Sequence, residues 1–446
     1  MRSRTCVPTA ILIVTIFTFP AHAQEAPLLR LTLEDAVARA VAASHRLAET
    51  RARGKVAEAG VALREAARRP VIGATAGYTR TNHVLEFTVP SPTGVPRVLY
   101  PDVPNNYHSR LELQWPIYTG GRTDALERAA RAEADAIAAE VSVAQADLRL
   151  EVTRAYWAVV TANATVRVLE QGVARSQAHV ADVAERSKVG LVPPNELASA
   201  TAQEARARML AIEARNQRDV TVADLERLIG VDPGQPLEPT ADLGTGAGAS
   251  PDKPFAIAAL LASARVERDE RRALQHRIDA AEEQRTAAAA GRRPTILLST
   301  GVDYARPNPR IFPRVDTWQD SWDAGVGVSW SLWDGGRRSA EVAQAAAVTE
   351  AAKHRLAEFD SVLVVEVRQR SLEIDSGLAA VAAAASAVTA AAEARRVVEE
   401  RYRAGVIAEI EVLDAEFALL QAELDRTRAQ AGVRLAEARL ARAIGR

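Results

Sequence analysis

Over residues 107–115 the chain alternates: Tyr107, Ser109, Leu111, Leu113 and Trp115 fall on one side of an extended strand, and His108, Arg110, Glu112 and Gln114 on the other. The alternation returns over residues 322–332, where Trp322, Ala324, Val326, Val328, Trp330 and Leu332 oppose Asp323, Gly325, Gly327, Ser329 and Ser331. Weaker segments of the same period precede each, at residues 71–81 and 295–304. Period two over about ten residues, with aromatics near the ends, predicts strands that present one face to lipid in an outer membrane. A half-buried strand of a soluble sheet has the same period, but these pairs stand isolated among helices, with no other sheet to receive them. Each pair brackets a proline-rich loop, residues 83–106 and 306–319. The first hairpin is longer by about nine residues, and insertions of this kind collect at exposed tips, here facing outside the cell.

Four strands do not close a barrel, which needs about eight. Open strand edges are not tolerated in lipid, because their backbone groups would go unpaired. The chain is therefore expected to share one barrel with copies of itself, two giving eight strands and three giving twelve.

The rest of the pattern is helical. Residues 121–188 contain no proline and almost no glycine, enough for one helix of about 100 Å. Val152, Ala155, Val159, Ala162, Val166, Leu169, Val173, Ser176, Val180 and Val183 form a seam at alternating spacings of three and four, the spacing of coiled-coil contacts. A second seam runs through Val367, Ile374, Gly377, Val381, Ala384, Val388, Ala391 and Val398, interrupted by Arg370 and Arg395. Each long helix ends at a glycine-centred turn and is followed by a returning helix, residues 195–229 and 409–444. Shorter helices, residues 32–69 and 254–293, lead into the strands.

The two halves correspond. WPIYTGGR at residues 115–122 is matched by WSLWDGGR at 330–337, Val189-Gly190-Leu191 by Ala404-Gly405-Val406, and Ile229-Gly230 by Ile444-Gly445, all offset by about 215 positions. One unit, a strand pair followed by a long helical hairpin, occurs twice. The division expected is a secretory leader at 1–23, a first repeat at 24–230, a linker rich in proline, glycine and threonine at 231–253, and a second repeat at 254–446.

The leader reading rests on Arg2 and Arg4, the apolar run of residues 10–19, and Ala21-His22-Ala23, with cleavage before Gln24. Cys6, the sole cysteine, lies inside it, so the mature chain has no thiol, disulfide or lipid-bearing cysteine. The full chain has a formal net charge of -1, with no basic cluster that would suggest nucleic acid. The uncharged stretch at 376–392 is mostly alanine, too weakly apolar and too short for the ~20 residues of a membrane-spanning helix. No metal-ligand spacing, nucleophile constellation or phosphate loop is present: His22, His45, His83, His108, His179, His276 and His354 are scattered singly. Gly120-Gly121 and Gly335-Gly336 read as strand-to-helix junctions. The expectation is a protein that is not an enzyme and holds no cofactor or metal.

The order of strand pair, Gly-Gly, long helix, tip turn and returning helix, twice over, resembles the TolC family of outer-membrane efflux proteins. The motifs that carry it are Leu31-Thr-Leu-Glu-Asp-Ala36, the two Trp…Gly-Gly-Arg junctions, the tips Arg186-Ser-Lys-Val-Gly-Leu191 and Arg401-Tyr-Arg-Ala-Gly-Val406, and Glu411-Val-Leu-Asp-Ala415. The resemblance covers nearly the whole mature chain. It implies a mixed α and β membrane protein: a homotrimer with a shared twelve-stranded barrel in the outer membrane over a periplasmic tunnel of helices. It also implies an exit duct for an efflux pump or a type I secretion (ABC) exporter of the inner membrane, reached through a periplasmic adaptor docking on the tips Val189, Gly190, Leu191, Ala404, Gly405 and Val406. At the second tip the family keeps a gate tyrosine, an arginine and two aspartates. Tyr402 matches the tyrosine, Glu411 the first aspartate and Asp414 the second, while Ile407 stands where the arginine would be. Asn195 and Glu196 match the polar pair on the first tip to which the tyrosine and arginine link. Glu411 and Asp414, three apart, share a helical face distinct from Leu413 and Phe417. The alternative class is a periplasmic coiled-coil adaptor, but its hairpin usually occurs once, between β-rich domains without counterpart here. Drug, metal, peptide and secreted protein would all pass through similar tunnels.

Overall fold

The computed structural model of the protein describes residues 28–92, 94–244 and 256–446. The expected leader and linker residues 245–253 lie outside the described residues. Along the first half run β1 (Leu29–Leu31), α1 (Leu33–Ala43), α2 (His45–Ala66), β2 (Val71–Arg80), β3 (Phe87–Val89), β4 (Arg97–Tyr100), β5 (Asn105–Tyr118), α3 (Arg122–Lys188) and α4 (Pro194–Ile229). The second half has β6 (Leu237–Pro239), α5 (Ile257–Glu267), α6 (Asp269–Ala290), β7 (Thr295–Arg306), β8 (Gln319–Ser329), α7 (Arg337–Arg403) and α8 (Glu409–Ala443). Helices α3 and α7 have 67 residues each, and the returning α4 and α8 have 36 and 35.

The four alternating segments form one antiparallel sheet in the order β2-β5-β7-β8. Its register sets Ile72 opposite Leu113, Leu111 opposite Val302, and Val302 opposite Trp322. Directly opposed residues share a face, so the apolar positions of all four strands form one continuous surface. Leu111, Val302, Val326 and Val328 on it are more than half exposed in the single chain. Near the loop end it carries a cluster of rings: Tyr78 and Tyr107 lie 5.0 Å apart, and Trp318 stacks on Tyr304 at 4.9 Å. Trp115 lies at the other end, eight residues from Tyr107 and about 27 Å along the strand, near the ~25 Å apolar band of an outer-membrane strand.

The opposite face is polar. Arg110 Nη1 lies 2.7 Å from Asp303 and 2.9 Å from Asp323, and Arg310, from the loop after β7, reaches Asp323 at 2.7 Å. Gly301 beside Arg110 leaves room for this, since a Cβ there would fall 2.5 Å from the guanidinium. Arg310 and the buried Asn308, whose amide donates to the Gln319 carbonyl and to Ser321 Oγ, fold the second loop back onto this polar face. The first loop is not plain coil, because β3 and β4 pair within it.

The structure corrects several boundaries. β8 ends at Ser329, so Trp330 and Leu332 lie beyond the strand, where Asp334 accepts from the backbone N–H groups of Gly336 and Arg338 and turns the chain into α7. Trp115 and Trp330 also act as struts: each indole Nε1 donates at 3.1 Å to a carbonyl at the end of the preceding helical segment, Arg68 and Arg292 respectively. The short helices expected at 32–69 and 254–293 are each broken by one extended residue. Ser44 closes α1 through its backbone N–H and caps α2 by accepting from the Leu47 N–H at 3.2 Å. Arg268 makes the second break, and its buried guanidinium reaches Glu270, Glu366 and the carbonyls of Arg442 and Ala443 at the end of α8. β1 pairs in parallel with β6, so the start of the linker is tied to the start of the first half.

The seams hold the long helices. Val152, Val159, Val166, Leu169 and Val183 are buried on α3, as are Val367 and Ile374 on α7. Each large apolar side chain buried in this way contributes about 1.5–3 kcal/mol, whereas a solvent-exposed ion pair such as Arg396–Glu393 contributes little. Arg370 and Arg395 are accommodated on the second seam by pairing within the helix, with Glu373 and Glu399. The alanine run lies inside α7, which, against the expectation, is long and apolar enough by composition to cross a membrane, and which is hardly buried along its apolar stretch in the single chain. It begins about 60 Å along the helix from the sheet, too far away to share a bilayer with the strands.

Candidate functional site at the hairpin tips

Both hairpins turn in the same way. At the end of α3 the Gly190 N–H donates to the Ser187 carbonyl and the Leu191 N–H to Arg186; at the end of α7 the Gly405 N–H donates to Tyr402 and the Val406 N–H to Arg401. This pair of hydrogen bonds satisfies carbonyls that a helix end leaves free, and it needs a left-handed residue in the middle. Gly190 and Gly405 supply it, at φ 74 and 72. Val189, Leu191 and Val406 are 70%, 75% and 65% exposed, apolar side chains at the tips that the other described residues leave largely open.

Behind the tips the hairpins meet around Val183, Ala200, Tyr402 and Val412, with Leu197, Val398 and Ile407 packed against them. Ile407 is thus an apolar member of the joint where the resemblance would place an arginine. Tyr402 is buried, and its hydroxyl donates to Glu196 at 3.2 Å. Burial, the charge of Glu196 and this hydrogen bond push the phenol up to about 12, so it stays a donor. Arg186 lies over the Tyr402 ring, 5.2 Å from its centre. The bond goes to Glu196 alone: Asn195, the other residue of the expected polar pair, is exposed.

Glu411 and Asp414 are also exposed, on the side of α8 away from the buried Val412 and Leu419. Phe417 corrects the sequence expectation. It is 49% exposed, three residues after Asp414, and so extends the face of the acidic pair instead of opposing it.

Two residues of the joint escaped the sequence reading. The side chains of His179 on α3 and Glu409 at the start of α8 are 9% and 4% exposed, with Nε2 and Oε1 3.4 Å apart. Burial holds the His179 imidazole below its ordinary value, against the opposing charges of Asp182 and Glu399. Burial and then the nearby Glu196 push the Glu409 carboxyl up to about 7. A histidine without a second histidine at ligand spacing gives no local signal; its partner here is 230 positions away. Among the described residues, no group of three or more His, Cys, Asp or Glu side chains is placed to hold a metal ion.

A sheet with one apolar and one polar face, set on two helical hairpins of this length, has the architecture of an outer-membrane channel with a periplasmic helical extension. The chain belongs to the outer membrane efflux protein family, whose model matches residues 36–231 and 260–446. Among solved structures it is similar to CusC, whose structures describe transmembrane channel formation, with 16% identity and a TM-score of 0.79 over 94% of this chain and 93% of that one. It is also similar in fold to the outer membrane protein VceC of Vibrio cholerae, at 21% identity and a TM-score of 0.77 over 93% of this chain and 96% of the other. A curated relative, protein CyaE of Bordetella pertussis, is 30% identical over 129 residues, which span 28% of this chain and 27% of that protein. The protein is thus an outer-membrane protein of the efflux family, and it spans about a quarter of the length of the curated relative that it matches.

Proposed function

We propose that three copies of the chain form the outer-membrane exit duct of a tripartite efflux or type I secretion assembly. Residues 24–230 and 254–446 act as equivalent units, each giving two strands and one hairpin, after removal of a leader at 1–23. The observation that carries this is the sheet itself: β2 and β8 are its two edges, both open in the single chain, and its apolar face is suited to lipid. Open edges in a bilayer demand partners, and copies of the same chain supply them in matching number. Twelve strands then enclose the polar face with Arg110, Asp303 and Asp323 as the lining of an aqueous lumen, and the helices continue it as a tunnel. A periplasmic adaptor docks on the apolar tips and links the duct to an inner-membrane pump or ABC exporter, which supplies the energy. Tyr402 and Glu196 hold the resting tunnel closed, and Glu411 and Asp414 of three chains line its narrow end.

The test is electrophoresis of the outer-membrane fraction in mild detergent, without heating and after boiling. A band of three-chain mass that collapses to one chain on boiling is expected. A monomer in the soluble periplasmic fraction would overturn the duct and return the periplasmic adaptor as the better reading.

A further inference from the structure

His179 and Glu409 form the most deeply buried polar contact between the two hairpins at the tip. Nε2 of one and Oε1 of the other lie 3.4 Å apart, within ion-pair reach, and neither atom makes a hydrogen bond among the described residues. Two orphaned polar atoms in an apolar joint are costly unless they serve each other. The contact joins α3 of the first hairpin to the first residue of α8 in the second. It stands beside Tyr402, whose ring centre is 5.9 Å from that of His179. Two positions earlier, Ile407 packs into the apolar cluster of the joint and has no polar side-chain group to offer.

We propose that His179 and Glu409 are a second clasp of the gate, holding the returning helix α8 against α3 and supplying the closing contact that Ile407 cannot make. This rests on reading the tip as a gate. Opening moves α8 away from α3, so the clasp must separate, and both groups then pass from an apolar joint into water.

That transfer makes the clasp sensitive to protons. The charged groups that face it are Asp182 and Arg186 on α3, Glu196 on α4, and Glu399 with the Tyr402 hydroxyl on α7. When Glu409 carries its proton, it sets no second carboxylate beside Glu196. When the proton leaves, a buried carboxylate faces Glu196 in a medium that screens it poorly. The closed-state carboxyl is raised to about 7, whereas in the open state it is an ordinary carboxyl. The closed state therefore binds more protons, and the contribution of Glu409 to closure is complete below the ordinary carboxylate range and is lost as pH rises through about 7. His179 acts in the opposite sense: its lowered closed-state value favours closure above its ordinary range and opposes it in acid. Between about pH 6.5 and about pH 7.5 an exposed imidazole is still partly protonated and His179 offsets part of the Glu409 effect; above that range only Glu409 remains to act.

Single-channel recording of the trimer in planar bilayers tests this with His179→Ala, Glu409→Ala, their double variant, the exchange His179→Glu with Glu409→His, and Tyr402→Phe as reference. Expected are raised conductance in both single variants, no further rise in the double variant, and recovery of the low wild-type conductance in the exchange. Wild-type conductance should also rise between about pH 6.5 and about pH 8, and Glu409→Gln should flatten that rise. Wild-type conductance and pH profile in His179→Ala and Glu409→Ala, with Tyr402→Phe opening the channel, would overturn the clasp and leave the gate standing. No change in any of the three would remove the gate, and the clasp with it.

Discussion

Two kinds of carboxylate sit on one turn and a half of α8, and exposure separates their roles. Glu409 is buried in the joint, while Glu411 and Asp414 face outward, where three-fold symmetry would bring six such groups around one axis. A ring of exposed carboxylates attracts cations and binds multivalent ones best, because neighbouring negative charges repel unless neutralised. Replacing both, Glu411→Ala with Asp414→Ala, should reduce the cation preference of the channel in bilayers under a salt gradient and weaken block by trivalent cations. Unchanged reversal potential and block would make the pair an ordinary solvated face. The sequence made this pair legible through its spacing and its motif, and made Tyr402 and Glu196 legible through the motif alone. It concealed His179 and Glu409, because their contact depends on how two hairpins pack and not on any local period.

Period carried the elements well where one face is buried or must meet lipid. Every position of the α3 seam is buried or half-buried, and the apolar sides of the four strands merge into one surface. Boundaries were less legible: the breaks at Ser44 and Arg268 are single residues inside continuous helical composition, fixed by capping and by the reach of Arg268 to the end of α8. The register also grades depth. Leu111 lies four residues from Tyr107 and four from Trp115, midway between the aromatic ends, whereas Val328 pairs with Ile296 below the level of Trp115. Arginine on the lipid face of a barrel costs about 2–4 kcal/mol at the midplane and about 0–1 near an interface. Leu111→Arg should therefore sharply lower the denaturant midpoint of the folded channel in lipid, and Val328→Arg should barely change it. Equal, small effects at both positions would place this surface in water.

At the scale of the whole molecule, strands anchored in the outer membrane carry the tips about 100 Å away on α3 and α7, deep in the periplasm. Val189, Leu191 and Val406 are exposed there although a monomeric soluble surface would ordinarily hide such a group, and a partner that covers them would remove apolar area from water. Docking of the adaptor should therefore depend on these side chains. Substituting the glycines is a blunt test, since Gly190 and Gly405 hold left-handed backbone that any side chain strains, and a failed turn would mimic a failed contact. Leu191→Asp with Val406→Asp leaves both turns intact, because the two residues contribute to them only through backbone N–H groups. The double variant should reach the outer membrane as a normal heat-dissociable oligomer, yet lose export and lose cross-linking to the adaptor that co-purifies with the wild type. Export and cross-linking at the wild-type level would move the docking surface from the tips to the sides of the helices.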